Sequence, residues 1–161
     1  MATCVLDTSI CVDLWNGGIL KLVLRLPHKF LLPDVIAQEC EDPPGELLLS
    51  LGFTSVSLDV EEIDLVTDYS SRFGQLSARD CFALAYSKIH GHILLTGDKS
   101  LRIAAEKERV HPHGVLWLLD EMVSKKILSG PDAIEALNKM RDTGTWLPAE
   151  ECEKRIKQWS E

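Results

Sequence analysis

No stretch of this chain stays apolar for the roughly 20 residues that a membrane-crossing helix needs. The best candidate, residues 19–26, is short and is broken by Lys21 and Arg25. The start, Met1-Ala2-Thr3-Cys4, carries no basic residue and no cleavable apolar segment, which predicts a protein that is not secreted and works in the cytoplasm. Cysteine is sparse: the five residues, at positions 4, 11, 40, 81 and 152, are odd in number and none has CxxC spacing. Most lie in apolar stretches such as Cys81-Phe82-Ala83-Leu84, so they read as small buried hydrophobes rather than disulfides or zinc ligands. Repeats, low-complexity tracts and Ser/Gly linkers are missing, and 161 residues suffice for one well-buried core. We therefore expect a single domain over 1–161, with 114–161 a helical C-terminal extension packed on the rest.

Basic residues are missing over a long span. Between Lys29 and Arg72 there is no Lys or Arg, yet ten acids occur. Over the whole chain 25 acids face 17 bases, a net charge of −8, which argues against binding nucleic acid through bulk charge alone. From Arg79 to His113 the balance reverses, with six Lys or Arg against four acids. An enzyme that gathers metal ions with its acids and keeps one face basic is still compatible with this distribution.

What is present is an alternation of short apolar runs with helical patterns. Thr3–Asp7, Lys29–Leu32, Phe53–Leu58 and Ile93–Thr96 read as strands, and Arg109–His111 as a short fifth. Between and after them, helices are expected over 8–15, 19–26, 35–41, 46–51, 59–73, 78–90, 99–108, 115–128, 132–142 and 149–159, with Asp42 as N-cap of the 46–51 helix. Strands alternating with helices predict an α/β fold: a three-layer α/β/α sandwich around a central parallel sheet of about five strands. Such sheets bind ligands outside the carboxyl ends of their strands.

That rule singles out Asp7 after the first strand and Asp98 after the fourth. Glu39, in the helix after the second strand, and Asp80, early in the helix before the fourth, are placed to join them. Four carboxylates at one rim repel unless a cation gathers them, and hard oxygen donors select Mg²⁺ or Mn²⁺. The chemistry such a site suits is phosphoryl transfer to water. Each acid also has a purely structural reading. Ser77-Ala78-Arg79-Asp80 is a capping box, Asp98 a helix cap, Glu39 a solvated helix acid; Asp7, ending an apolar strand, most needs a partner.

The segments Val5-Leu6-Asp7-Thr8-Ser9, Ile36-Ala37-Gln38-Glu39, Leu76-Ser77-Ala78-Arg79-Asp80 and Leu94-Leu95-Thr96-Gly97-Asp98-Lys99 occur in that order. Together they resemble the PIN-domain nucleases over residues 3–116. The tail from Gly114 resembles a subgroup described only as predicted nucleic-acid-binding proteins, related to the toxins of VapC-type toxin–antitoxin pairs. The resemblance implies a metal-dependent endoribonuclease that hydrolyses single-stranded RNA, with Asp7, Glu39, Asp80 and Asp98 as catalytic metal ligands for Mg²⁺ or Mn²⁺. It gives Ser9 a role in orienting Asp7 or a metal-bound water and Thr96, two residues before the last acid, an orienting role of its own; it also implies an antitoxin protein and a homodimer as partners, with no membrane. One departure stands out: where many members carry a further acid soon after the fourth, this chain has Lys99-Ser100-Leu101-Arg102. Lys99 and Arg102 are instead candidates for contact with RNA phosphates.

Two rival readings remain at this level. A PIN-like fold with a weak or vacant metal site would serve as an RNA- or protein-binding module. A phosphatase-like enzyme would place two acids close together after the first strand, which Asp7-Thr8-Ser9 does not. The histidines at 90, 92, 111 and 113 match no zinc spacing. Trp117, Trp146 and Trp159 read as core residues, Asp34 and Asp120 as surface acids, and segments 19–26 and 46–51 as apolar helices with an exposed patch for a partner.

Overall fold

The computed structural model describes all 161 residues. Five parallel strands form one sheet: β1 (Thr3–Leu6), β2 (Lys29–Pro33), β3 (Thr54–Val56), β4 (Ile93–Leu95) and β5 (Pro112–His113), in the order β3-β2-β1-β4-β5. β1 is central, with Val5 opposite Leu31 on one side and Leu94 on the other. Nine α-helices flank the sheet: α1 (Thr8–Asn16), α2 (Asp34–Glu39), α3 (Gly45–Leu51), α4 (Val60–Arg72), α5 (Ala78–His90), α6 (Lys99–Lys107), α7 (Val115–Ser124), α8 (Gly130–Asp142) and α9 (Ala149–Trp159). The expected α/β/α sandwich is the fold observed.

Successive strand side chains point to opposite faces, and this alternation makes two cores. Val5, Leu31 and Leu94 face one layer, where Tyr69 of α4, Leu84 of α5 and Leu101 of α6 close over them. Cys4, Leu6, Phe30, Leu32 and Leu95 face the other, a larger core shared with Ile10 of α1, Ile36 of α2, Leu118 of α7, Leu137 of α8 and Trp159 of α9. Helices α7 to α9 thus pack into the same apolar cluster as the sheet.

Three local expectations need correction. Residues 19–26 form a single 3₁₀ turn, Leu22–Arg25, instead of a helix. Ile19, Leu20, Val23 and Leu26 fold into the core, so this segment presents no surface patch. Asp42 caps nothing: Pro44 precedes α3, and no side chain accepts from its first turn. The last strand lies a few residues later than expected. His111 O and His113 O accept the ladder bonds from Leu94 N and Thr96 N, at 3.0 and 2.9 Å. All five cysteines are free thiols, four of them buried. No helix is long and apolar enough to cross a membrane.

The seam between α2 and α3 depends on a residue without a side chain. A methyl placed on buried Gly45 would overlap the backbone carbonyl of Ala37, two residues before Glu39. Backbone cannot swing aside as a side chain can, so Gly45→Ala must push α2 away from α3. We expect a cost of about 1–3 kcal/mol, read as a thermal midpoint lower by about 5 °C.

Candidate active site

In the order β3-β2-β1-β4-β5 the direction of winding reverses between β1 and β4. The connection leaving β1 becomes α1 on the larger-core side, and the one leaving β4 becomes α6 on the opposite side. Diverging connections open a crevice at the carboxyl ends of these two strands, the place where open α/β sheets take ligands. Asp7 is the first residue past β1, and Thr96-Gly97-Asp98 are the first past β4.

Asp7 is 5 % exposed. Its backbone N–H extends the sheet by donating to Leu95 O at 3.0 Å. Its side chain caps α1, with Oδ1 accepting from Thr8 N at 2.7 Å. Oδ2 accepts from Ser9 Oγ at 2.9 Å and from Thr96 Oγ1 at 2.8 Å. Both hydroxyls then pass the link to the fourth-strand loop: Ser9 Oγ accepts from Gly97 N and Thr96 Oγ1 from Asp98 N, at 2.9 and 3.0 Å. Burial pushes the Asp7 carboxyl above its ordinary pKa, and the charge of Asp80 adds to this. The bonds from Thr96, Ser9 and Thr8 pull the other way and lose.

Asp98 is exposed and caps α6, Oδ2 accepting from Leu101 N at 2.8 Å. Asp80 is half-buried and closes the expected capping box of α5: its Oδ2 accepts from Ser77 N at 3.0 Å, and Ser77 Oγ accepts from Asp80 N at 3.1 Å. Asp7, Asp80 and Asp98 therefore each stand at a helix N-terminus, where the dipole favours negative charge. Asp80 and Asp98 each spend one oxygen on the cap and leave the other unbonded. Glu39 behaves differently. It ends α2, exposed, and its carboxylate pairs with the guanidinium of Arg79.

The acids form a rim rather than a closed coordination sphere, for no three acids, histidines or cysteines converge on one point. The donor set still fits a hard divalent cation. Mg²⁺ commonly takes one or two protein carboxylates and fills its octahedron with water. Here it would find a buried carboxylate whose negative charge lacks a counter-ion, beside two acids with free oxygens. The Glu39–Arg79 pair joins half-exposed side chains, an arrangement worth about 0–1 kcal/mol, so it is easily exchanged. Lys99 and Arg102, at the start of α6, are exposed and enter no ion pair; Arg102 Nη2 donates a long bond to Thr96 O at 3.4 Å.

Sequence reasoning missed Asp13. It lies four residues after Ser9 on α1, hence on the same helix face, and that spacing was the available signal. Asp13 is 8 % exposed, and its Oδ1 accepts from Thr145 Oγ1 at 2.8 Å. Its Oδ2 points toward Gly97: a Cβ built there would stand 3.5 Å from both Asp13 Oδ2 and Ser9 Oγ. From Ser9, Asp13 and Gly97 a groove of about 680 Å³ runs past Lys99 and Arg102 to residues 145–148 and α9. Trp146 stands beside it, 79 % exposed, which corrects its reading as a core residue; Trp159 is buried, as expected. Asp120, read as a surface acid, is partly exposed at the other side of the groove, where Arg155 Nε donates to it at 3.0 Å.

Comparison with known proteins places this geometry. A family model described as DUF3368, a PIN domain, matches residues 3–161, and the chain belongs to that family. PIN domains are nuclease-type folds that generally use divalent cations. A PilT N-terminus domain protein from the hyperthermophilic archaeon Sulfolobus solfataricus P2 has a similar structure, with a TM-score of 0.53 and 16 % identity over 73 % of this chain and 91 % of that one. At that identity the likeness is one of fold. No curated protein matches the sequence.

Burial of Asp13 pushes its carboxyl up to about 6; proximity to Asp7 adds to the rise and the Thr145 bond opposes it. A raised folded-state pKa means that the ionised form costs stability above pH 6 and that acidification relieves the cost. Asp13→Asn keeps an acceptor for Thr145 and removes the charge. In EDTA at pH 8 it should be more stable than the parent by about 3 kcal/mol, from a shift of about two pH units at 1.36 kcal/mol each. The gain should fade as pH falls from 6 to 4, which thermal midpoints across that range will check.

Proposed function

We propose that this protein is a metal-dependent endoribonuclease that hydrolyses phosphodiesters of single-stranded RNA, with Asp7, Glu39, Asp80 and Asp98 as its acidic site and Mg²⁺ or Mn²⁺ as its cofactor. The observation that carries the reading is Asp7: a carboxylate held almost out of water, at the switch point of the sheet, with another acid close enough to raise its pKa further. Membership of the PIN family supports the reaction class.

A divalent cation bound at the rim would supply charge neutralisation of the phosphate and an activated water. The chain's own contribution is positional. Thr96 and Ser9 hold one oxygen of Asp7, and Thr8 N fixes the other, so the carboxylate cannot rotate away. Asp98 and Asp80 are pinned by their caps, with one oxygen of each left unbonded. Arg79 holds Glu39 beside the rim until a competing cation arrives. Lys99 and Arg102, free of ion pairs, take the flanking phosphates. No covalent intermediate is needed.

Glu39's ion pair and the lack of three converging ligands favour a second reading, a PIN-like module that binds RNA or protein without cutting. The nuclease reading extends to a toxin silenced by an antitoxin, whose basic side chain would enter the acidic rim. A homodimer would have to use other surfaces than residues 19–26, such as exposed Val60 and Ile63 on α4.

Cleavage of a labelled single-stranded RNA separates the two. We expect cutting with Mn²⁺, none with EDTA, and a fall of about a hundredfold or more in Asp7→Asn and Asp98→Asn, since even residues that only orient metal ligands are worth 10- to 100-fold. Intact RNA under all conditions, or equal cutting by the variants, would favour the binding module.

A further inference from the structure

The groove beside the rim has the make-up of a nucleotide site. Its volume of about 680 Å³ lies in the range that holds a small ligand. One end is Ser9, which donates to Asp7, so the groove begins at the hydrogen-bond partner of the central acid. Along its wall stand Lys99 and Arg102, cations without a carboxylate partner, suited to a phosphate.

Two tryptophans line the groove, and they differ in what they offer. Trp117 is already engaged, stacked on His113 at 4.5 Å between ring centroids and on His28 at 5.7 Å. Trp146 is 79 % exposed and stacks on nothing. It is nevertheless held in place, because its neighbour Thr145 ties the loop to α1 through Asp13 and to α8 through Thr145 N, which donates to Met140 O at 3.0 Å. A wet indole on an anchored loop is a stacking platform for a base. Asp13 provides the polar selectivity: a carboxylate more than nine-tenths buried, with Oδ2 unbonded at the groove wall.

We infer that this groove is a base-binding subsite for the nucleotide next to the one cut at the rim, in which Trp146 stacks on the base and Asp13 Oδ2 accepts N–H donors from its edge. Guanine fits best. It presents a ring N–H and an amino group side by side, whereas uracil presents one N–H between two carbonyls that would face the carboxylate. The groove's position relative to the cut rests on the nuclease reading; its ability to bind a nucleotide does not.

The test is therefore made without metal. Nucleoside 5′-monophosphates of guanine, adenine, cytosine and uracil are titrated in EDTA against intrinsic tryptophan fluorescence. We expect quenching, with guanosine monophosphate about tenfold tighter than uridine monophosphate, as a good paired contact to a base edge allows. Trp146→Ala, on an exposed loop, should lose the quench; Asp13→Asn should bring the two nucleotides within a factor of about two. Asp64→Asn, on the exposed face of α4 and outside the groove lining, should bind like the parent. No quench with any nucleotide, or an undiminished quench in Trp146→Ala, overturns the inference. RNA cutting without nucleotide quenching would reject the subsite and keep the nuclease. Quenching without cutting would do the reverse.

Discussion

The bond from Thr96 Oγ1 to Asp7 Oδ2 spans 89 residues of sequence and joins the ends of the two middle strands. Asp7 is costly to bury, and it is tolerated because three donors meet it: the first N–H of α1, a hydroxyl from that helix and a hydroxyl from the neighbouring strand's end. Those hydroxyls accept in turn from the backbone of Gly97 and Asp98, so the start of α6 is set by the same few atoms. Fold and site are thus coupled at one carboxylate. Three donors still do not cancel the cost of burying the charge, since the Asp7 pKa remains raised. What is left over is an affinity for positive charge at the rim.

The other acids show how one residue serves structure and chemistry together. Asp80 and Asp98 read as helix caps in the sequence, and caps they are. Capping uses one oxygen and orients the other, so it leaves an acid ready to act as a ligand on a rigid element. Glu39 lacks such a restraint. At the end of α2 it takes the nearest cation, Arg79, which directly precedes Asp80.

Elements with a strong local signal were legible in the sequence. The apolar runs of β1, β2 and β4 and the capping box that starts α5 are determined within a few residues, and the structure has them where the pattern puts them. Residues 19–26 misled because a helical period of apolar residues also suits a compact turn that buries Ile19, Val23 and Leu26 on all sides. The last strand was misplaced because its pairing is set by β4, not by its own composition: Pro112 and His113 have no strand pattern. Of the site, the acids at strand ends were readable. The spacing from Ser9 puts Asp13 on the same face of α1, but its burial against the loop before Trp146 rests on the 132-residue contact between Asp13 and Thr145, which no local pattern announces.

The most direct test of the account is the thermal midpoint of the parent and of Asp7→Asn, each with EDTA and with saturating Mn²⁺. A ligand that binds only the folded chain at a hundred times its Kd adds about 2.7 kcal/mol. The account predicts a rise of about 5–10 °C in the parent and almost none in the variant. A parent that does not respond, or a variant that responds as strongly, would contradict the claim that the buried charge of Asp7 is there to hold a cation.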